Sequence, residues 1–267
     1  MENKKYKHHP EEKALFEAED LVKQAIERHK PNIYVAFSGG KCSEVVLHMA
    51  LKYWKDIPVM FNNTGVEFPE TIEFIQKLKK EWKLNLIETH PEKTFWDCVK
   101  KYGIPSIKSA SKKKHGSGTR PKCCYHLKEK PALLEIRENG FKACMTGIRG
   151  EESYNRRNLM KFCGQRYFQK TWGMWKYHPI IFWEHKQMED YIKQNKLPIN
   201  QAYVKWNGLY KRVGCLPCTS YKDWKVKLQK SHPQLYQMLQ NIDGTKLLSQ
   251  FPNPKLNSEG KFFSSQP

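Results

Sequence analysis

Residues 33–43 read Ile-Tyr-Val-Ala-Phe-Ser-Gly-Gly-Lys-Cys-Ser, an apolar run that leads straight into a Gly-Gly turn and on into a helical pattern. A strand–turn–helix step of this kind gathers backbone N–H groups and the positive end of a helix around one point, which makes a grip for phosphate. Gly39 and Gly40 allow the tight turn, while Ser38, Ser43 and Lys41 add side-chain donors. The spacing is not Walker A, which needs a longer interval between glycine and Gly-Lys. A tight βα turn without a ligand is the plainer alternative. Cys42 is the odd residue in the turn.

The rest of the pattern extends this start into a layered fold. Glu11–Lys30 reads as an amphipathic helix with Leu15, Ala18, Val22, Ala25 and Ile26 on one face. Strand 33–37 is followed by a helix over Ser43–Tyr53, a strand over Ile57–Phe61, a helix from Pro69 to about Trp82, and a strand over Leu84–Ile87. Phe141–Gly147 reads as a further strand, and Lys176–Ile181 as an edge strand or an extended loop. Strands alternating with helices at this spacing predict an α/β fold with a doubly wound parallel sheet. The expected organisation is an N-terminal helix (1–30), a nucleotide-binding domain (31–183), a helical C-terminal region (184–245) and a loosely ordered tail (246–267).

Charge narrows the partners. With 47 basic and 27 acidic residues the chain carries +20, which favours polyanions, nucleic acid above all, over neutral ligands. A lysine-rich solvated surface is the plainer account. The stretch 105–122 is basic and Gly/Ser-rich, so it reads as a surface loop and a candidate nucleic-acid or nucleotide clamp. No apolar run reaches the ~18 residues of a membrane span. The first residues lack the apolar core of an export signal, so the expected compartment is the cytoplasm.

Four stretches resemble one family. Ser38-Gly39-Gly40-Lys41-x-Ser43 is similar to the PP-loop of the ATP pyrophosphatase and adenine nucleotide alpha-hydrolase group. Asn62-Asn63-Thr64-Gly65-Val66-Glu67-Phe68-Pro69-Glu70-Thr71 resembles the second motif of its phosphoadenosine phosphosulfate (PAPS) reductase-like branch. Thr146-Gly147-Ile148-Arg149-Gly150-Glu151-Glu152-Ser153, with Arg156, resembles the third. His178-Pro179-Ile180 through Leu197-Pro198, and Gly214-Cys215-Leu216-Pro217-Cys218-Thr219, resemble its C-terminal half. The resemblance implies that the loop binds ATP or another adenine nucleotide, with Thr64, Gly65 and Gly147 beside it. It also implies that Arg149 and Arg156 meet substrate phosphate or sulfate, to which arginine forks are suited. The alternative for both arginines is pairing with Glu151 and Glu152.

Of eight cysteines, Cys123-Cys124 are adjacent and Cys215 and Cys218 form Cys-x-x-Cys. Four thiolates suit iron–sulfur or zinc. The resemblance implies a [4Fe-4S] cluster in the helical C-terminal region, with zinc or free thiols as alternatives. Cys98 and Cys144 read as core residues.

Two departures shape the functional reading. The family loop carries Asp where this chain has Cys42. A thiol serves Mg²⁺ poorly, so a Mg²⁺ site is in question, whereas a thiol at a helix N-terminus beside Lys41 is a candidate sulfur carrier. The family's reductases also use a cysteine near the C-terminus, and no cysteine follows Cys218 here. The leading expectation is therefore an ATP pyrophosphatase/sulfurtransferase that thiolates tRNA or DNA. Lys41, Cys42, Arg149 and Arg156 would carry the chemistry, with a persulfide on Cys42, on Cys163 or from a partner cysteine desulfurase. The alternatives are a sulfonucleotide reductase drawing on an external, thioredoxin-like thiol, and a non-catalytic nucleotide-binding subunit of a modification complex.

Overall fold

A computed structural model describes residues 17–105, 121–220 and 223–241, with the backbone alone at 255–256 and 262–263. The expected first helical turn, most of the basic stretch 105–122 and most of the tail lie outside the described residues. The chain divides into two units of packing. One comprises Met1–Phe61, Lys77–Ile87 and Leu133–Ile199, the other Asn62–Gln76, Glu88–Ala132 and Asn200–Pro267.

The first half of the chain runs α1 (Ala18–His29), β1 (Ile33–Ala36), α2 (Lys41–Tyr53), β2 (Pro58–Asn62), α3 (Pro69–Glu81), β3 (Asn85–Thr89) and α4 (Phe95–Tyr102). A short helical turn α5 (Lys122–Cys124) passes through a π-helical turn at Tyr125–Glu129 into α6 (Lys130–Glu138). Then follow β4 (Ala143–Thr146), a 3₁₀ turn at Gly150–Glu152, α7 (Tyr154–Cys163), β5 (Arg166–Gln169), β6 (Met174–Tyr177) and α8 (His185–Gln194). A 3₁₀ turn at Gln201–Tyr203, α9 (Trp224–Ser231), α10 (Pro233–Asn241) and the two-residue strands β7 (Lys255–Leu256) and β8 (Phe262–Phe263) complete it. Each long helix has a local cause. In α1, Leu21, Val22, Ala25 and Ile26 are buried on one face, with Glu19 and Asp20 in the first turn and Arg28 and His29 in the last, as the helix dipole favours. α4 opens on a capping box between Thr94 and Asp97.

The sheet order is β3-β2-β1-β4-β6-β5. β1 is parallel to β2 and β4, and β4 is parallel to β6. The chain thus winds outward from β1 to β3 and returns to β4 on the other side of β1. The turns leaving β1 and β4 lie at the carboxyl ends of adjacent strands, where the strand order reverses and open α/β sheets place their ligands. The expectation of a fully parallel sheet needs one correction. β5 pairs antiparallel with β6 and forms the edge, so β6 lies inside the sheet rather than at its rim. Four residues without clear alternation, Arg-Tyr-Phe-Gln, gave β5 no periodic signal.

The second unit has its own core. Phe68, Phe95, Trp96, Val99, Leu127, Leu216, Leu228 and Leu239 are among its buried members, with Cys123 and Trp224 packed against them half-buried. Among the described residues no helix is long and apolar enough to cross a membrane.

Candidate functional site

The loop after β1 is closed by its own serines. Gly39 takes φ 69°, a left-handed value that favours glycine. Ser43 Oγ donates to the Gly40 carbonyl at 2.8 Å, accepts from the Ser38 N–H at 3.2 Å, and lies 3.1 Å from Ser38 Oγ. Lys41 opens α2, and its Nζ donates to Glu189 Oε1 on α8 at 2.7 Å. The turn after β4 packs directly on this loop. A Cβ on Gly147 would stand 2.2 Å from the Cys42 carbonyl oxygen, so only glycine lets the two backbones meet.

Two residues past Gly147, Arg149 is buried and its Nε donates to Cys42 Sγ at 3.2 Å. Its Nη1 lies 3.4 Å from Glu151 Oε1 and 3.5 Å from the Trp183 carbonyl, and its backbone N–H donates to Glu152 Oε2 at 3.1 Å. Arg156 forms a close ion pair with Glu152, and its backbone N–H is capped by Ser153 Oγ. Both arginines therefore have the acidic partners that the alternative reading gave them. The same folding brings Lys41, Cys42, Gly147 and Arg149 to one end of the sheet.

Sequence reasoning missed Glu44 and Glu189. Glu44 is 1% exposed and its Oε1 has no hydrogen-bond partner. Burial pushes its carboxyl up to about 8, against the opposing pull of Lys41. Its position three residues after Lys41 was the available signal; Glu189 offered none. His178 is also buried, 2.6 Å from Thr146 Oγ1 through Nδ1, and burial pulls it down to about 3, so its ring is neutral.

The second unit holds Thr64, Gly65 and the paired cysteines. Thr64 Oγ1 donates to Glu67 Oε1 at 2.8 Å and lies 3.5 Å from Cys215 Sγ. Gly65 adopts φ 75° and its N–H donates to Asn63 Oδ1 at 3.0 Å. The Leu216 N–H donates to the Val66 carbonyl at 2.8 Å, beside an antiparallel bridge between Glu67 and Cys215. Lys128 Nζ stands 3.9 Å from Glu67 Oε1.

Cys123 and Cys124 sit at the entry to the π-helical turn. Its hydrogen bond with Cys124, then burial, then the Cys215 and Cys218 sulfurs push the Cys123 thiol up. Burial raises Cys215 to about 12, with Lys128 opposing, and also raises Cys218. Four thiols are by chemistry suited to a soft metal centre. Among the described residues, however, no three His, Cys, Asp or Glu side chains converge as metal ligands. At Cys42 the donor is a sulfur already receiving a guanidinium N–H, which does not fit a hard cation such as Mg²⁺.

The remaining cysteines are interior. Cys98 and Cys144 are buried, and Cys144 Sγ accepts from Lys176 Nζ at 3.2 Å. Cys163 is 1% exposed and burial pushes its thiol up to about 11. That corrects its candidacy as a sulfur carrier, since a protonated, enclosed thiol is neither reachable nor nucleophilic.

A mostly parallel sheet with the Gly39-Gly40 loop at its point of reversal places this chain among proteins of the adenine nucleotide alpha-hydrolase-like fold. Within that class the phosphoadenosine phosphosulfate reductase domain matches residues 32–221, and the chain belongs to that family. It is 30% identical to an adenosine 5'-phosphosulfate reductase of Oceanobacillus iheyensis, over 76% of this chain and 78% of that one. It is 30% identical to a phosphoadenosine 5'-phosphosulfate reductase of Proteus mirabilis, over 80% and 84%. An uncharacterized Methanocaldococcus jannaschii protein is also 30% identical over 83% of this chain, which spans only 43% of that relative's length. The crystal structure of the Candida auris PAPS reductase shares the fold, with a TM-score of 0.57 and 21% identity over 75% of this chain and 88% of that one.

Proposed function

We propose that this protein uses ATP to transfer sulfur to nucleic acid, with Cys42 as the carrier. The observation that carries the reading is the contact between Arg149 Nε and Cys42 Sγ inside the phosphate loop. A carboxylate at that position would serve a metal ion; a sulfur there, receiving a guanidinium N–H, supports a role in sulfur chemistry instead. The charge of +20 supports a polyanionic substrate.

The loop residues Ser38, Gly39, Gly40, Lys41 and Ser43, with Gly147 and Arg149, would hold the nucleotide. The target oxygen of the nucleic acid attacks the α-phosphorus and pyrophosphate leaves. The terminal sulfur of a Cys42 persulfide, loaded by a cysteine desulfurase, then attacks the activated carbon. AMP departs with the former target oxygen, leaving a mixed disulfide between product and Cys42. An external thiol reduces that disulfide and releases the thiolated product. Arg149 and Arg156 would stabilise charge building on the departing phosphates. They must first give up Glu151 and Glu152, so nucleotide binding would rearrange both ion pairs.

Cys123, Cys124, Cys215 and Cys218, in the proposed helical region 184–245 and the segment leading to it, would hold a [4Fe-4S] cluster, with zinc as the alternative metal. Such a cluster would tie together the segments that carry its cysteines and, where redox-active, supply an electron. Lys128 and Glu67 are this chain's own charges near those sulfurs, and they would set the field the centre experiences.

Purified protein given ATP, a cysteine desulfurase and tRNA or DNA tests the reading through release of pyrophosphate. No release with either nucleic acid overturns it. The names of the relatives favour a second reading, reduction of adenylyl sulfate or its 3'-phosphorylated form by an external thiol. Sulfite formation on adding a thioredoxin would establish that reading in place of the first.

A further inference from the structure

Lys41 leaves the loop at the first position of α2 and reaches across to α8, where its Nζ donates to Glu189 Oε1 at 2.7 Å. The two side chains are 23% and 35% exposed, so the pair stands beside the loop within reach of solvent and not in the core. α8 does not depend on this pair for its place. Met188 and Ile192 are its buried residues, and the Tyr191 hydroxyl lies 2.9 Å from His48 Nδ1 on α2. Glu189 also has a second nitrogen close by, since its Oε1 is 3.7 Å from His185 Nε2 one turn earlier. The carboxylate is therefore free to leave Lys41 without stranding itself and without releasing the helix.

We propose that Glu189 is a positioning residue for Lys41: it holds the ammonium at the loop while the site is empty and yields it to a nucleotide phosphate. A lysine ammonium is a point charge on a flexible aliphatic stem, and a short carboxylate contact fixes where it points. Phosphate and carboxylate carry the same sign of charge, so they compete for it. Their exchange breaks one ion pair and forms another. Lys41 then adds little net affinity, and tight binding must come from the rest of the loop. The inference rests on the reading that this loop binds a nucleotide, and it names the group that the phosphate displaces.

Calorimetry of the full chain with ATP and Mg²⁺ tests this in a double-mutant cycle of wild type, Glu189→Gln, Lys41→Gln and the double variant. Glu189→Gln keeps the shape of the side chain and removes the competing charge. It should bind ATP about two- to fivefold more tightly than wild type, the range a partly exposed ion pair accounts for. In the Lys41→Gln background the group competed for is gone, so the double variant should bind no better than Lys41→Gln alone. A merely structural role for Glu189 would move both backgrounds equally. Unchanged or weaker binding by Glu189→Gln, or an equal gain in both backgrounds, overturns the assignment of Glu189 and leaves the nucleotide reading in place. A wild-type chain that binds no ATP overturns both.

Discussion

Arg149 Nε donates to Cys42 Sγ at 3.2 Å, so the residue that stands where the family loop has a carboxylate is tied to the most buried arginine of the site. In Cys42→Asp the contact becomes a guanidinium–carboxylate pair, which is the stronger bond. The variant should melt higher, by about 1 kcal/mol of added stability, and still bind nucleotide. It should lose sulfur transfer completely. Thermal melts beside a transfer assay check this, and a Cys42→Asp protein that still transfers sulfur would remove Cys42 from the mechanism.

Glu44 makes stability fall as pH rises from 4.5 to about 8. Its carboxyl is held neutral up to about 8 in the folded chain, whereas an unfolded one ionises near 4.5. The folded pKa is raised, so its contribution is complete below pH 4.5 and is lost as pH rises to about 8. Glu44→Gln removes that dependence. Its stability advantage over wild type should grow between pH 5 and pH 8, reaching on the order of 2 kcal/mol. Denaturant titrations across that range measure it, and a constant difference would contradict the assignment.

Acid should act through His178 and His232, whose buried rings are pulled down to about 3 and about 4. Both folded pKa values are depressed. The stability they contribute is present above pH 6.5 and is lost as pH falls from 6.5 through about 4 for His232 and about 3 for His178. His178→Gln should flatten part of that loss in an acid-melting series.

Gly147→Ala tests the approach of the two turns. The added methyl would meet backbone atoms of Cys42 and Ser43 at 2.2 to 2.5 Å, so the loop must move. Expected are a destabilisation of about 2 kcal/mol or more and a loss of nucleotide binding greater than the stability change alone accounts for. Calorimetry with ATP separates the two, and unaltered affinity would mean the loop does not grip the nucleotide.

The parts of this structure that were legible in the sequence share a cause. Strands β1, β2 and β4 are short apolar runs next to turn residues, and α1 through α3 carry a clear apolar face, so local periodicity located them. The Gly39-Gly40 turn could be read because glycine marks places where a backbone turns tightly, whereas Gly147 was noted only through the family resemblance and its crowding against Cys42 appears only in the folded chain. β5 could not, because its place depends on pairing with β6 and not on its own pattern. Glu44 and Glu189 were hidden for the same reason: their importance comes from what packs on them. The arginines were read as anion ligands on the family resemblance, with pairing to Glu151 and Glu152 as the alternative, and the folded chain supplies that pairing.

The cysteine set has a simple assay. Anaerobically purified protein should show broad absorption near 400 nm with about four iron per chain, as expected for a [4Fe-4S] centre, and Cys215→Ser should lose both. Colourless protein with one zinc would assign the thiols to a structural metal instead.

The central claim is that sulfur passes through Cys42 to nucleic acid at the expense of ATP. The direct measurement is transfer of radiolabelled sulfur from cysteine, through a desulfurase, to tRNA or DNA, counted with and without ATP. The account predicts ATP-dependent label on the nucleic acid, one pyrophosphate per sulfur, and no label with Cys42→Ser. Label that persists in Cys42→Ser, or unlabelled nucleic acid alongside sulfite released from adenylyl sulfate, would contradict it.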